Sequence, residues 1–325
     1  MKKINLGNLK RFESNSRAIK LYNAVRWWLK TPCPLRFTVN PYKTCSLKCK
    51  YCYSRYNWWN SIIKEWFRKS FDKDIEKAVK LWLNNLVVEI APSVELFQNI
   101  ELDIWDSLYV LQKLLVSWFK VVLVTKNPWM LFHEKYKDLL VFEKLFIDVT
   151  IASSTEGNKD SIFTYSWPSY REKLDVIKTL IAIWKQVRIK IEPIIPITDQ
   201  VLWQSLDDIK TILEDVQKLG VKKIISKTIR INKELPIHIY NKLIWHFTLN
   251  GYKEGENYIL NNDSRRKLLQ PVFDWCKSLW LEFCPCCDDD VFDEKDVTTC
   301  LITGEINTKM LEIQPNIYKK KGVLD

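Results

Sequence analysis

Short apolar runs rich in β-branched residues alternate with longer amphipathic segments through most of the chain. The runs that predict strands are Leu35–Val39, Val87–Ala91, Val121–Thr125, Phe146–Ala152, Val187–Ile191, Val221–Ser226 and, last, Leu281–Cys284. The segments with helical periodicity are Ile75–Leu86, Ile100–Ser117, Met130–Leu145, Pro168–Ile183, Asp199–Leu219, Pro236–Phe247 and Ser264–Lys277. This alternation predicts βαβ units and a parallel sheet, as a barrel, a partial barrel or an open sheet.

Both ends of the chain depart from the alternation. Residues 1–30 hold eight Lys or Arg against the single acid Glu13, and Ser16–Leu29 is predicted to be helical. After residue 285 the periodicity gives way to an acidic run, Asp288–Asp290. We therefore expect a basic N-terminal extension over 1–30, an α/β core over 31–290 and a C-terminal tail over 291–325.

Composition and charge narrow the class of protein. The 325 residues are 47% hydrophobic and 27% charged, which is typical of a folded globular chain. The net charge of +11 suits a nucleic-acid partner, although a solvated basic surface explains it equally well. No apolar core follows the first charges and no run approaches the ~20 residues of a membrane span, so we expect a cytoplasmic protein. With three histidines, a His-based zinc hydrolase and a Ser-His-Asp site are both disfavoured.

Three of the nine cysteines fall within eight residues, directly after the first predicted strand. Cys45, Cys49 and Cys52 are separated by three residues and then by two. In a cytosolic chain such a group indicates metal or redox chemistry. Three thiolates leave one iron of a [4Fe–4S] cluster open to a small molecule, and this is the interpretation we favour. The alternatives are buried structural thiols, or a zinc site that takes a fourth ligand from Cys33 or a later cysteine.

With Tyr51 just before the third cysteine, the C-x3-C-x2-C motif resembles the signature of the radical SAM superfamily. The resemblance implies a partial (β/α)6 TIM-type barrel, a [4Fe–4S] cluster on Cys45, Cys49 and Cys52, and S-adenosylmethionine (SAM) as cofactor. It implies reductive cleavage of SAM to a 5′-deoxyadenosyl radical that takes hydrogen from a substrate. It also implies an electron donor such as flavodoxin or ferredoxin.

Further motifs resemble the spore photoproduct lyase-like group, often called DNA repair photolyases. They are Asn40-Pro41-Tyr42 before the cysteines, Gln98-Asn99-Ile100-Glu101, Thr125-Lys126 and Pro193-Ile194-Ile195-Pro196. The group's T-D pair is absent, and Ser93-Val94-Glu95-Leu96 stands in its place. This resemblance implies a DNA substrate. It places Tyr51, Thr125, Lys126, Ser153, Ser154 and Glu192 around SAM.

Two other functions stay open on the sequence. One is a radical SAM enzyme that modifies a peptide or a small molecule. The other is a non-enzymatic protein that binds zinc or nucleic acid.

The late cysteines Cys276, Cys284, Cys286, Cys287 and Cys300 allow several interpretations. They suit a second metal site, a redox pair, a thiol that donates hydrogen to a product radical, or structural thiols at a strand end.

Glycine is too rare in this chain and tryptophan too common. There are 7 Gly and 15 Trp, and average usage of Gly is about 7%. Gly220 ends a helix before a strand, whereas Trp118, Trp184 and Trp280 stand at equivalent junctions. Our hypothesis is that many tryptophans, including Trp58 and Trp59, are glycines in the cell, encoded by UGA codons that were translated as Trp. The alternative is a Trp-rich protein that stacks indoles on bases.

Overall fold

The computed structural model describes residues 6–22, 36–47, 49–52, 66–158, 161–163, 168–198, 204–286, 288, 291–292, 296–298 and 300. Its centre is an eight-stranded sheet in the order β1-β2-β3-β4-β5-β6-β7-β10. The strands are β1 Ile19–Tyr22, β2 Arg36–Val39, β3 Val87–Ile90, β4 Lys120–Thr125, β5 Leu145–Thr150, β6 Val187–Ile194, β7 Lys223–Thr228 and β10 Glu282–Pro285. A separate hairpin pairs β8 Gly251–Glu254 with β9 Asn257–Leu260.

All pairs in the large sheet are parallel except β1 with β2. The helices are α1 Leu6–Glu13, α2 Phe67–Lys80, α3 Glu101–Ile104, α4 Asp106–Val116, α5 Tyr170–Ala182, α6 Leu206–Lys218, α7 Ile237–Asn250 and α8 Asn262–Ser278, with 3₁₀ turns at Pro128–Phe132 and Lys137–Val141. The sheet curves but does not close, so the predicted partial barrel of α/β type is confirmed.

The predicted helix over Ser16–Leu29 is wrong where the structure describes it. Ile19–Tyr22 is an edge strand, with Ile19 opposite Val39 of β2. The buried Asp74 carboxylate accepts the backbone N–H groups of Arg17, Ala18 and Ile19, which draws the chain out of helical geometry. Tertiary contacts thus override the local helical pattern.

Two other helix predictions were too regular. Met130–Leu145 is not one helix but two 3₁₀ turns, and the chain between them places the Tyr136 hydroxyl on the Glu101 carboxylate. Ile100–Ser117 is divided at Trp105, which has a positive φ. The hairpin β8–β9 was not predicted, because its strands are only four residues long.

Within the described residues, we find no helix that combines the length and the apolar character needed to cross a membrane.

The backbone at the tryptophans bears directly on their identity. Six tryptophans have left-handed φ between 54° and 68°: Trp66, Trp82, Trp105, Trp118, Trp184 and Trp280. Ala91 is the only other non-glycine residue with positive φ among those described. Side chains with a Cβ avoid this region, which glycine enters freely. Six tryptophans there indicate positions built for glycine.

Four of the six follow the same helix-ending geometry as Gly220. The residue that follows each left-handed position donates its N–H to the carbonyl five positions back, as in Phe119 to Leu114 (3.1 Å) and Val221 to Val216 (3.1 Å). The same bond occurs after Trp82, Trp184 and Trp280. This is the Schellman ending, whose left-handed position is usually glycine. The geometry supports the recoding hypothesis at these positions, while Trp58 and Trp59 lie outside the described residues.

Replacing Trp184 by glycine tests this interpretation. Trp184 is 92% exposed, so Trp184→Gly loses little packing and relieves about 1–2 kcal/mol of left-handed strain. We expect a higher urea midpoint. The matched control is Trp245→Gly, because Trp245 is also exposed (71%) but lies inside α7. There glycine should cost about 1 kcal/mol. Equal effects of the two changes would contradict the hypothesis.

The gene itself gives the second test. We expect UGA codons at Trp82, Trp118, Trp184 and Trp280, where the backbone needs glycine. Reading the coding sequence checks this directly, and UGG at those positions would disprove recoding.

Candidate active site

One cavity lies at the carboxyl edge of the parallel strands, where residues from the ends of β2 to β7 meet. It encloses about 1030 Å³, part of it open to solvent, and Cys45, Cys49 and Cys52 all line it. The cysteine loop follows β2 at once, so it enters at the edge where α/β barrels place their chemistry.

Of the three thiols, Cys49 is buried, whereas Cys45 and Cys52 are partly exposed. Burial raises the pKa of Cys45 to about 11 and that of Cys49 to about 12. The Lys126 ammonium opposes this rise at Cys49. Buried thiols that become thiolates only beside added positive charge suit a soft metal centre. No three Cys, His, Asp or Glu side chains of the described residues are grouped to hold one metal ion.

Tyr51 packs beneath the loop and is buried. Its ring lies 5.4 Å from that of Phe163, and the Lys126 Nζ lies 5.5 Å from the Tyr51 ring centre. Burial raises the pKa of the Tyr51 hydroxyl, and the neighbouring Cys49 adds to the rise. Tyr51 is therefore a neutral aromatic support between Cys49 and Cys52.

Gln98 ties the cysteine loop to the loop after β3. Its Oε1 accepts the N–H of Ser46 at 2.8 Å. Its Nε2 donates to the carbonyls of Thr44 at 2.9 Å and Glu95 at 3.0 Å. The residues on either side of Cys45 are thus bonded to one buried amide.

Glu95 links this loop to the end of β4. One carboxylate oxygen accepts the Thr125 hydroxyl and the Phe97 N–H, and the other accepts the Lys126 N–H at 2.8 Å. The Glu95 N–H points to the Cys45 sulfur at 3.5 Å. Because these bonds satisfy the buried carboxylate, it is held in place beside the cavity.

Glu101 anchors the residue that precedes the cysteines. The fully buried carboxylate accepts the hydroxyls of Tyr42 and Tyr136 and the N–H groups of Ser107 and Leu108. Burial and then the Glu101 charge raise the pKa of both tyrosines, so both stay protonated as donors. The Asn-Pro-Tyr and Gln-x-x-Glu motifs of the sequence therefore meet in space.

Four of the six residues expected around SAM lie in the cavity wall. These are Tyr51, Thr125, Lys126 and Glu192. Ser153 and Ser154 are not among the lining residues. The Ser154 N–H and hydroxyl bind Asp208, and the Ser153 hydroxyl lies 2.7 Å from that of Thr155.

The loop that carries these serines is held from below by a buried ion pair. Glu156 accepts the Ala152 N–H at 2.7 Å and binds Lys173 at 2.5 Å. Burial lowers the pKa of Lys173, which also donates to the Thr150 carbonyl.

The sequence did not identify four charged residues of the cavity. They are Glu95, which holds the loop in place, and the cations Lys190, Lys227 and Arg230. Period-two alternation in β6 contained a signal for Lys190, because Arg188, Lys190 and Glu192 point to one face of the strand. Nothing in the local pattern singles out Lys227 or Arg230.

The late cysteines occupy separate places. Cys276 is buried in α8. Cys284 in β10 is a free thiol that is hydrogen-bonded to the free thiol of Cys300. Arg36 donates to the Cys300 sulfur at 3.4 Å, and Arg188 donates to the Cys300 carbonyl at 2.7 Å. Cys33 and Cys287 lie outside the described residues.

The fold has known counterparts among solved structures. A spore photoproduct lyase variant with bound AdoMet and dinucleoside spore photoproduct matches with a TM-score of 0.58 and 13% identity, over 76% of this chain and 75% of that one. Spore photoproduct lyase complexed with the dinucleoside spore photoproduct matches with 0.59 and 13%, over 87% and 86%. SuiB of Streptococcus suis bound to S-adenosylmethionine matches with a TM-score of 0.49 and 13% identity, over 76% of this chain and 49% of that chain.

No protein-family model and no curated protein matches the sequence. At sequence identities this low, the comparison with solved structures shows the fold alone. The predicted resemblance to spore photoproduct lyase is thus confirmed in the architecture of the chain, because the two proteins share the fold of a partial α/β barrel.

Proposed function

We propose that the protein is a radical SAM enzyme whose Cys45, Cys49 and Cys52 ligate a [4Fe–4S] cluster. One observation carries the proposal: the three thiols of the motif line a single cavity at the carboxyl edge of a parallel α/β sheet. Such a cluster supplies one electron to SAM, whose cleavage yields methionine and a 5′-deoxyadenosyl radical. The donor set fits, because three cysteine sulfurs on a short loop suit iron bound to thiolate.

The cavity wall supports a role in holding SAM. Tyr51 offers an aromatic face, and Glu95 fixes the end of β4 by accepting the Thr125 hydroxyl and the Lys126 N–H. Glu192 at the end of β6 offers a carboxylate to a cationic or hydroxyl group. Ser153 and Ser154 would act on SAM only indirectly, by supporting neighbouring residues. The Ser153 hydroxyl is already bonded to Thr155 and the Ser154 hydroxyl to Asp208.

For the substrate we propose nucleic acid, with DNA photoproduct repair as the model reaction. The support is the shared fold with spore photoproduct lyase, together with the net charge of +11. A reductant such as flavodoxin or ferredoxin would deliver the electron, and we expect the enzyme to work in the cytoplasm.

Alanine at each motif cysteine tests the cluster. After anaerobic reconstitution, Cys45→Ala, Cys49→Ala and Cys52→Ala should each bind at least about tenfold less iron than the parent, because a ligand is lost. 5′-Deoxyadenosine formation from SAM under reductant should disappear. Cys276→Ala is the control, since Cys276 lies in α8. A parent protein that takes up zinc but no iron, and that leaves SAM intact, would refute the enzyme.

Gln98→Ala tests the hold on the cysteine loop. The change leaves the Ser46 N–H and two carbonyls without their partner, at a cost of about 1–3 kcal/mol per buried group left unpaired. We expect the reconstituted variant to lose iron to a chelator several times faster than the parent. Asn99→Ala, at the exposed neighbouring position, should match the parent. Equal rates for both variants would show that Gln98 does not hold the loop.

A further inference from the structure

The cavity carries an excess of positive charge. Its described lining holds four cationic side chains, Lys126, Lys190, Lys227 and Arg230, and two carboxylates, Glu95 and Glu192. A cavity with this balance attracts an anion, and low-dielectric walls strengthen the attraction.

Two of the cations already have defined places. Lys126 lies on the cysteine side, over the Tyr51 ring. Lys190 is buried and faces Glu192, with 3.6 Å between Nζ and Oε2. The Glu95 oxygens are occupied by Thr125, Phe97 and Lys126, so this carboxylate is committed to the loops.

Lys227 and Arg230 form a separate wall. Lys227 is in β7 and Arg230 follows it, five strands along the sheet from the strand that leads to the cysteines. Both are partly exposed and both line the cavity. Because the sheet curves around the cavity, this wall faces the cysteine loop across the opening.

A buried network fixes the backbone between these two cations. Asp288 accepts the Thr228 N–H at 2.8 Å and its hydroxyl at 2.9 Å. Arg265, fully buried in α8, binds the other oxygen of Asp288 at 3.0 Å. The strand end is thus held at Thr228, which makes a preorganised platform for Lys227 and Arg230.

A second group of cations lies at the same edge of the sheet. Arg17, Lys69 and Lys73 line a surface pocket at the start of α2 and just before β1. Because β1 runs antiparallel to β2, with Ile19 opposite Val39, Arg17 lies at the carboxyl edge. A polyanion long enough to reach from one group to the other would contact both, whereas a small phosphate compound would use one.

We propose that Lys227 and Arg230 bind a phosphodiester of a nucleic-acid substrate and that Arg17, Lys69 and Lys73 bind the same strand farther along. This rests on the function proposed above. A guanidinium and an ammonium that line the same cavity suit phosphate, because the guanidinium fork donates to two phosphate oxygens. The substrate group would then lie across the cavity from the cysteines, with the reacting carbon between them.

The test removes charge from this wall alone. In the reconstituted enzyme, the double variant Lys227→Gln/Arg230→Gln should bind a single-stranded oligonucleotide about tenfold or more weakly, with a shallower salt dependence. SAM affinity is measured on the same reconstituted preparations. The control is Lys218→Gln/Lys222→Gln, which removes two exposed cations at the opposite edge of the sheet.

Each outcome has a distinct meaning. Unchanged oligonucleotide affinity overturns the phosphate site. A fall in SAM affinity instead of oligonucleotide affinity also overturns it, because the two cations would then hold the carboxylate of the cofactor. A parent protein that binds no iron and does not cleave SAM would refute the proposed function itself. Binding of the oligonucleotide is measured directly, so its result does not depend on SAM cleavage.

A second arm separates a polymer from a small phosphate. The double variant Lys69→Gln/Lys73→Gln should weaken binding of the oligonucleotide but leave binding of a dinucleotide unchanged. The Lys227→Gln/Arg230→Gln variant should weaken both. If Lys69→Gln/Lys73→Gln leaves oligonucleotide binding intact, the second contact is wrong and the ligand is a small phosphate compound.

Discussion

The arrangement of the site depends on three buried polar side chains in the loop after β3. Glu95, Gln98 and Glu101 are buried, so each must be satisfied by hydrogen bonds. Their partners lie on both sides of Cys45 and at the end of β4. These bonds fix the backbone around Cys45, while Cys49 and Tyr51 pack in a hydrophobic cluster with Phe163.

Charge inside the sheet follows the same rule. Arg188 binds Asp148 on the next strand through two bonds of 2.7 and 2.8 Å, and Arg36 lies 2.7 Å from Glu89. Charged side chains in the interior of the sheet are costly to desolvate. Here they are paired between neighbouring strands, so that each charge satisfies its partner. The interior is therefore polar below the cavity, and Lys190 and Glu192 continue that polarity upward to the site.

At the tryptophans with left-handed φ, the structure distinguishes the exposure of the indole from the conformation of the backbone, which the sequence alone does not. Their indoles are mostly exposed at helix ends, as with Trp184 and Trp280 at 92% and 91%. Their backbone has the geometry of Gly220. The backbone explains why these positions recur at the same junctions, whereas a stacking function for the indoles does not. The nucleic-acid contacts proposed above are accordingly phosphate contacts, made by the cations of the carboxyl edge.

The sequence by itself determined the strand order along the chain, the cysteine motif and its place after β2, because strand periodicity and ligand spacing are local properties. It also indicated left-handed positions at Trp118, Trp184 and Trp280 from their junctions alone. Tertiary structure decided that Ile19–Tyr22 is a strand, since Asp74 draws it out of helical geometry. It also decided that Lys227 and Arg230 line one cavity with the cysteines, because only the three-dimensional sheet brings residues five strands apart to one site.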